Sequence, residues 1–349
     1  MEAWYHPLHC MNDPQAEGHM ASHIGRRKFL AMLGGAATWP LAARAQQPAM
    51  PVIGFLVSAS AEGYASVLVP LREGLEEAGY KEGQNLTIEY RWADYHYDRL
   101  PALAADLVRR QVAVIFATGS VVSAIAAKSV TSAIPIVFVH GSDPVRYGLV
   151  ASLNRPGGNV TGMTLYNSGL GPKRIELLRD LVPRATSIGL LVNPNNPNAA
   201  DDGNDIQEAG QSVGVRIEIV NASSERELDE AFAKVHQLRA DALMVHVDAL
   251  FNAQYKKIVA LAEQYAVPTI YATQQATRAG GLISYGTNVD VMDRQAGIYI
   301  GKILKGAKPA DLPVLQPTKF DLIINLKTAR ALGLTVPLII QMTADEVIK

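Results

Sequence analysis

Short, almost continuously apolar runs recur along the chain. Residues within a run do not alternate between apolar and polar, so both faces of each strand must be covered. This pattern is typical of parallel strands that carry helices on both sides of their sheet. The runs are Val52–Val57, Val112–Ala117, Ile134–Val139, Ile188–Val192, Ala242–Val247 and Val267–Tyr271.

Segments with a helical spacing of apolar residues lie between these runs. Tyr64–Gly79 carries one apolar stripe and stops at a glycine, a residue that often ends helices. Leu170–Val182 has Pro172 in its first turn, and Ala249–Tyr265 shows the same spacing. Strands that alternate with helices predict doubly wound α/β sheets whose crossovers are right-handed.

The order of strands and helices runs twice, from Pro51 to about Gly162 and from about Thr164 to Gly281. After Gly281 come a strand, a helix and a last strand–helix unit, which we expect to complete the earlier halves. The sequence therefore predicts two doubly wound parallel-sheet lobes. We assign residues 50–163 plus 284–315 to the N-terminal lobe and residues 164–283 plus 316–349 to the C-terminal lobe.

The first 47 residues are typical of an upstream segment followed by an export signal. Residues 25–31 contain a twin arginine before Phe-Leu, and a short apolar run then leads to Ala43-Arg44-Ala45. This order predicts a twin-arginine-type signal that is cleaved after Ala45. The apolar run is too short to span a membrane, which takes roughly 20 residues, and no cysteine at the cleavage site could carry a lipid. We predict a soluble periplasmic protein without a lipid anchor.

Composition excludes several classes of function. The single cysteine, Cys10, lies upstream of the predicted cleavage site, so the mature chain has no disulfide and no cysteine nucleophile. The 32 Lys and Arg nearly match the 33 Asp and Glu, which gives no long-range attraction to nucleic acid or to an anionic membrane. Gly-x-Gly-x-x-Gly, Walker and His-Glu-x-x-His motifs are missing, so we expect no cofactor and no metal.

Polar residues follow the predicted strands, at the edge where open α/β sheets bind ligands. They are rich in hydroxyls, amides and glycine and poor in nucleophile–base pairs, which favours hydrogen bonding to a ligand over covalent chemistry. The stretches are Ser58–Ser60, Thr118–Ser120, His140–Asp143, Asn193–Asn198, His246–Asp248 and Ala272–Gln274. Aromatic residues nearby permit an aromatic ligand body, namely Tyr64, Tyr166, Phe251, Tyr271 and Tyr285.

Some of these residues have two interpretations. Asp143, which precedes a proline, and Asp248 could each cap a helix, and Asp248 could equally bind a ligand ammonium group. His140 and His246 are either hydrogen-bonded residues near the cleft or metal ligands and bases. A Ser120–His140–Asp143 triad would lack the Gly-x-Ser-x-Gly elbow that positions a nucleophilic serine.

The stretch Thr118–Ser120 precedes a predicted helix that runs to Val130. The free N–H groups at the start of a helix can receive an anion. If this helix in one lobe faced Asp248 in the other, the two would bind the opposite ends of a zwitterion.

Several stretches together resemble the ABC-transporter substrate-binding family that includes the tryptophan-binding TrpX-type lipoproteins. They are Ile53–Leu56, Leu71–Tyr80, Ile134–Phe138, Ser142–Val145, Leu153–Thr164 with its Pro-Gly-Gly-Asn-Val-Thr-Gly run, and Gly280–Leu282. The resemblance implies a type I periplasmic-binding fold with a ligand cleft at a three-strand hinge. It also implies the strand-end residues as ligand contacts: Ser58, Ser60, Thr118, Gly119, Ser120, Ser142, Asp143, Asn193, Asn196, Asp248 and Thr273.

Two features depart from the family pattern. The signal has no lipid anchor, and residues 193–198 carry asparagines where relatives place serines. We therefore predict a monomeric receptor of an ABC importer, which closes its hinge on a small organic solute such as an amino acid and docks on a membrane permease. The alternatives are a secreted α/β hydrolase or isomerase using His140, His246 and Asp248, and a ligand-sensing partner of a receptor kinase.

Overall fold

Two β-sheets organise residues 50–349, the part of the chain that the computed structural model describes. The predicted export signal, Cys10 and the cleavage site lie outside these residues. Helices cover both faces of each sheet, so the predicted α/β class with parallel sheets is confirmed. No helix within residues 50–349 is long and apolar enough to cross a membrane.

The first sheet is entirely parallel, in the order β2-β1-β3-β4-β5. Its strands are β1 (Val52–Val57), β2 (Thr87–Trp92), β3 (Val114–Thr118), β4 (Ile136–His140) and β5 (Val160–Thr164). Its helices are α1 (Leu68–Glu77), α2 (Leu100–Arg109) and α3 (Val121–Val130). Phe55, Phe116 and Phe138 are among its fully buried side chains, and apolar clusters lie on both faces.

The second sheet repeats this order as β7-β6-β8-β9-β10 and then adds β11 and β12. Only the pair of β10 and β11 is antiparallel. Its strands are β6 (Ser187–Val192), β7 (Arg216–Asn221), β8 (Ala242–Val245), β9 (Thr269–Tyr271), β10 (Ile283–Gly286), β11 (Asp321–Asn325) and β12 (Glu346–Ile348). Its helices are α4 (Gly171–Leu181), α5 (Ala199–Ser212), α6 (Glu227–Gln237), α7 (Ala249–Ala253), α8 (Tyr255–Gln264) and α9 (Gln274–Arg278), with α11 (Leu326–Ala331) and α12 (Leu338–Thr343) near the end.

The chain crosses between the sheets three times. After β5 it enters α4 of the second sheet, and after β10 it returns through α10 (Val289–Leu304), which packs on α1. Residues near Leu315 then run beside β5 before the chain joins β11. Residues 284–286, which we assigned to the N-terminal lobe, pair within the second sheet, so the return begins at 287. The lobe division is otherwise still a prediction.

The six apolar runs all form strands, whereas strands that carry polar residues were not predicted from the sequence. The missed strands β2 and β7 are partly exposed sheet edges that carry charged residues. The segment Ala249–Tyr265, predicted as one helix, breaks at Gln254 into α7 and α8. The predicted helix after Asp143 is wrong: residues 144–148 form a turn, and the Asp143 carboxylate accepts the N–H groups of Val145 and Arg146 there.

Helices α1 and α10 approach so closely that glycine is required between them. A Cβ at Gly297 would collide with the carbonyl of Leu71, and one at Gly74 with the carbonyl of Arg294. Because these obstacles are backbone atoms, no side-chain movement could relieve the collision. The two glycines thus allow α10, which arrives from the second sheet, to pack tightly on the first lobe.

We expect Gly297→Ala to lower the free energy of unfolding by about 2 kcal/mol, as overpacking does elsewhere. Gly203 in α5 is a matched control, since a Cβ there would meet only the Ile219 side chain at 3.6 Å. Gly203→Ala should leave stability unchanged or raise it by about 0.5–1 kcal/mol, because alanine is the better helix former. Urea denaturation measures both. Equal stability of Gly297→Ala and the wild type would contradict the packing described for α10.

Candidate ligand-binding site

Direct hydrogen bonds join the two lobes across the cleft. Asn198 donates from Nδ2 to Ser142 Oγ at 3.0 Å, and the Tyr97 hydroxyl donates to Asp248 Oδ2 at 3.0 Å. At the rim, Arg146 pairs with Asp205 at 2.8 Å. The carboxyl ends of both sheets therefore face each other in contact.

Two cavities lie in this cleft. The smaller one, of about 40 Å³, is lined by residues that follow β3 and β4 on one side and β6 and β8 on the other. The larger one, of about 640 Å³, is lined by residues that follow β1 and β2, by the α7–α8 region, and by Thr273 and Val289.

Among the described residues, Arg174 is the one Lys or Arg side chain that lines the smaller cavity. Pro172 starts helix α4, and Arg174 in the first turn is only 3% exposed. Burial lowers the pKa of its guanidinium to about 10, so it is charged at neutral pH. No carboxylate among residues 50–349 forms an ion pair with it. A buried cation without an anionic partner is costly, which makes this position suited to an anionic ligand group.

Backbone and amide oxygens hold the Arg174 guanidinium in place. It donates to the carbonyl of Tyr285 at 2.9 Å and to the carbonyl and side-chain oxygen of Asn167 at 3.3 and 3.1 Å. A guanidinium has five N–H groups, so two remain for a further acceptor. Asn167 follows β5 and Tyr285 lies in β10, so Arg174 sits where two of the three crossovers meet.

The start of helix α3, which the sequence predicted, lines the same cavity; Asp248, which we expected to face it, is not among the lining residues. Ser120 caps the helix by accepting the N–H of Val122, and Gly119, Ser120 and Val121 line the cavity. Gly119 adopts φ +87°, and a Cβ there would come within 2.6 Å of Ser58 Oγ. The unpaired N–H groups of a first helical turn favour an anion.

Within residues 50–349, a single carboxylate, that of Asp202, shares the cavity with Arg174. It extends from the first turn of α5 and hydrogen-bonds through Oδ2 to His246 Nε2 at 3.1 Å. Both side chains are largely buried, and His246 Nδ1 has no partner among the described residues. The cavity therefore presents one cation and one anion, with hydroxyl and amide groups between them.

Asp248, in contrast, is fully occupied by protein donors. Its Oδ1 accepts from Asn193 at 3.0 Å and from the N–H of Leu250 at 2.9 Å, so it caps α7 as predicted. Its Oδ2 accepts from Asn196 at 2.8 Å and from Tyr97 of the other lobe. A carboxylate has about four lone-pair sites, and all four are used in this arrangement.

The structure distributes the predicted contact residues over several places. Gly119, Ser120, Ser142 and Asn196 line the smaller cavity, and Ser60 and Thr273 line the larger one. Ser58, Thr118, Asn193 and Asp248 are buried beneath the surface of the cleft, and Asp143 is exposed. Tyr64 lines the larger cavity, and its hydroxyl lies 2.9 Å from Thr118 Oγ1.

Sequence reasoning missed Arg174, Asp202, Asn167 and Tyr97. Arg174 and Asp202 lie in helices, where charged residues usually face solvent, so only the packing of α4 and α5 under the crossovers reveals their burial. Both residues lie in the first turn of the first α-helix after a strand, Arg174 after β5 and Asp202 after β6. That position was the available signal, because helix starts border the ligand edge of such sheets.

The described residues contain no catalytic triad and no cluster that could hold a metal. Asp143 lies in an exposed turn, and neither ring nitrogen of His140 has a hydrogen bond of ordinary geometry. His140 stacks on Phe138 at 4.5 Å, and burial lowers the pKa of its imidazole to about 3, with the backbone of Ser142 opposing this weakly. Among residues 50–349 no hydrogen bond joins His140 to Ser120 or to a carboxylate, so the Ser120–His140–Asp143 triad is not assembled.

Two lobes that meet over a cavity with fixed charges define a class of proteins that bind a small molecule between closing domains. The chain belongs to the family of ABC transporter substrate-binding proteins, whose sequence model matches residues 53–348. Membership implies a small-molecule solute and a membrane permease as partners.

Relatives of known ligand and structure extend this finding. A tyrosine-binding protein of Clostridioides difficile (strain R20291) is 29% identical over 262 residues, which is 75% of each chain. A Streptococcus pneumoniae domain in complex with L-Trp superposes with a TM-score of 0.75 at 25% identity, over 85% of this chain and 99% of that one. The predicted type I periplasmic-binding fold is thereby confirmed.

A third relative is less similar in structure. The ligand-free, open structure of a substrate-binding protein with adhesive properties from Clostridium difficile gives a TM-score of 0.59 at 26% identity, over 86% of this chain and 99% of that one. Identity and coverage differ by only 1% between the two comparisons, yet the TM-score is higher for the L-Trp complex, 0.75 against 0.59.

Proposed function

We propose that this protein is the receptor of an ABC importer for an α-amino acid. The observation that carries the proposal is the pair of opposite charges, Arg174 and Asp202, in one small interlobe cavity. A zwitterion neutralises both charges at once. A sugar would leave both unpaired, and a simple anion or cation would leave one.

The roles follow from the geometry of the donors and acceptors. The ligand carboxylate is placed against the two free N–H groups of Arg174 and the first turn of α3, because charge-assisted bonds are the strongest available there. The ligand ammonium is assigned to Asp202, since Asp248 has no free acceptor while the lobes are closed. Ser142, Asn196 and Asn198 supply neutral hydrogen bonds.

An aromatic side chain is the favoured class, because the relatives bind tyrosine and L-Trp. The larger cavity supports this assignment, since Tyr64, Tyr95 and Tyr255 line it and could pack against an aromatic ring. Binding of one ligand by both lobes would favour the closed state and present it to the permease. We further propose that the protein acts as a periplasmic monomer and that it leaves its ligand chemically unchanged.

Isothermal titration calorimetry of the mature protein against the standard amino acids tests the proposal. A ligand at 100 times its Kd should also stabilise the fold by roughly 2.7 kcal/mol, which a thermal shift detects. Removing either charge from the ligand should weaken binding strongly, as tested with 3-phenylpropionate and phenethylamine beside phenylalanine. Equal affinity for phenethylamine and phenylalanine would contradict the zwitterion site, and a chemically altered ligand would favour the enzyme alternative.

A further inference from the structure

Resting on the proposed function, we infer that His246 decides which charge pattern the smaller cavity accepts: a zwitterion while its imidazole is neutral, and an anion once it is protonated. His246 follows β8, is 6% exposed, and lines this cavity together with Arg174 and Asp202. Its Nε2 lies 3.1 Å from Asp202 Oδ2. A charge on the imidazole therefore acts directly on the carboxylate that we assign to the ligand ammonium.

Asp202 fixes one ring nitrogen of His246 and leaves the other open. An ionised carboxylate only accepts hydrogen bonds, so Nε2 carries a hydrogen and donates it to Oδ2. Nδ1 is buried and has no hydrogen-bond partner among residues 50–349. No acceptor there holds a hydrogen on Nδ1, and no donor keeps it bare. The described part of the chain thus imposes neither protonation state, and the contents of the cavity can select one.

The charges that line the cavity determine what each state binds. While the imidazole is neutral, Arg174 and Asp202 cancel, and a zwitterion keeps the balance. A protonated imidazole pairs with Asp202 itself and leaves Arg174 without a counter-charge. An anion then restores the balance, whereas a zwitterion leaves one positive charge uncompensated in a buried site, which is costly. An amino acid therefore displaces the proton of His246 to the solvent, while a plain carboxylate retains it.

The other titratable groups around His246 have different roles. Burial, aided by the charge of Asp202, raises the pKa of Tyr147 to about 12, and burial lowers that of His140 to about 3. Both stay neutral where histidine side chains usually change charge, between about pH 5 and 8. Asp248, two residues along, is occupied by four donors. The exposed carboxylates of α5 pair with Arg146 at the rim; they are Asp201 and Asp205.

Calorimetry with phenylalanine and 3-phenylpropionate at about pH 5.5 and 7.5 tests the inference, on the wild type and on His246→Gln. An imidazole that titrates in this range and must lose its proton predicts about tenfold weaker binding of phenylalanine at the lower pH. 3-Phenylpropionate, which has no ammonium group, should instead bind about tenfold more tightly there. Glutamine can still donate to Asp202 but takes up no proton, so both affinities in His246→Gln should change less than threefold.

Proton release gives a second readout that needs only the wild type. Titrations at about pH 5.5 in two buffers of different ionisation enthalpy should show about one proton released for each phenylalanine bound, and no release with 3-phenylpropionate. A histidine that only supports the fold would release none. His236 is exposed, so His236→Gln is the matched control and should behave as the wild type does.

Three results would overturn the role of His246 and leave the proposed function standing. They are phenylalanine binding with the same pH dependence in His246→Gln and the wild type, phenylalanine binding without proton release, and 3-phenylpropionate binding that is no tighter at the lower pH. If His246→Gln fails to bind, proton release by the wild type decides the matter. Failure of the wild type to bind any amino acid would overturn the proposed function itself.

Discussion

Replacing Arg174 by glutamine should weaken the binding of an α-amino acid by roughly 100- to 4,000-fold. The ligand carboxylate would lose its only cationic partner in a buried cavity, and removing one partner of such a pair typically costs about 3–5 kcal/mol. Calorimetry with the amino acid that binds the wild type best measures the loss. Glutamine can still donate to the carbonyl of Asn167 or Tyr285, so the crossovers keep a partner.

The fold should tolerate this change, which keeps the result interpretable. Arg174 is a buried cation that forms no ion pair with a carboxylate of residues 50–349, so its replacement also removes a desolvation penalty. Arg179 lies in the same helix and is exposed, and Arg179→Gln should bind as the wild type does. With phenethylamine, which lacks a carboxylate, Arg174→Gln should change affinity less than threefold. Wild-type affinity for the amino acid in Arg174→Gln would remove this residue from the site.

The second large effect concerns stability in acid. Burial holds the pKa of His140 at about 3, below its ordinary value of 6.5. The unfolded chain therefore binds a proton between pH 6.5 and pH 3 that the folded chain does not bind. By linkage, this group stabilises the fold fully above pH 6.5, and the contribution is lost as the pH falls toward 3. The whole loss is about 5 kcal/mol, at 1.36 kcal/mol for each pKa unit.

The free energy of unfolding of the wild type and of His140→Gln, measured in urea at several pH values, isolates this contribution. The difference between them should change by about 1.4 kcal/mol for each pH unit between 6 and 4, with the wild type losing stability faster. Burial raises the pKa of Asp293, which acts with the opposite sign but is present in both proteins. His236 is exposed, and His236→Gln should reproduce the wild-type profile. Parallel profiles for His140→Gln and the wild type would refute the assignment.

Much of the architecture was predictable because it depends on local patterns. Runs such as Val52–Val57 are apolar on both faces, and only a sheet covered by helices on both sides can bury them. Ser120 and Asp248 cap their helices, which for Asp248 was one of the two alternatives that the sequence left open, since capping needs only an oxygen close in sequence to free N–H groups. The edge strand β7 was not predicted, because its exposed face carries charged residues.

The site was only half predictable, and the reason is the distance over which its contacts form. The sequence by itself determined the α/β class, the doubled order of strands and the polar character of the strand ends. The tertiary structure alone decided that Arg174 is buried beside two crossovers, that Asp202 faces the same cavity, and that Tyr97 reaches Asp248 from 151 residues away. A charged helix residue has the same local signature whether it faces water or a cleft, so its role is fixed only when the lobes pack.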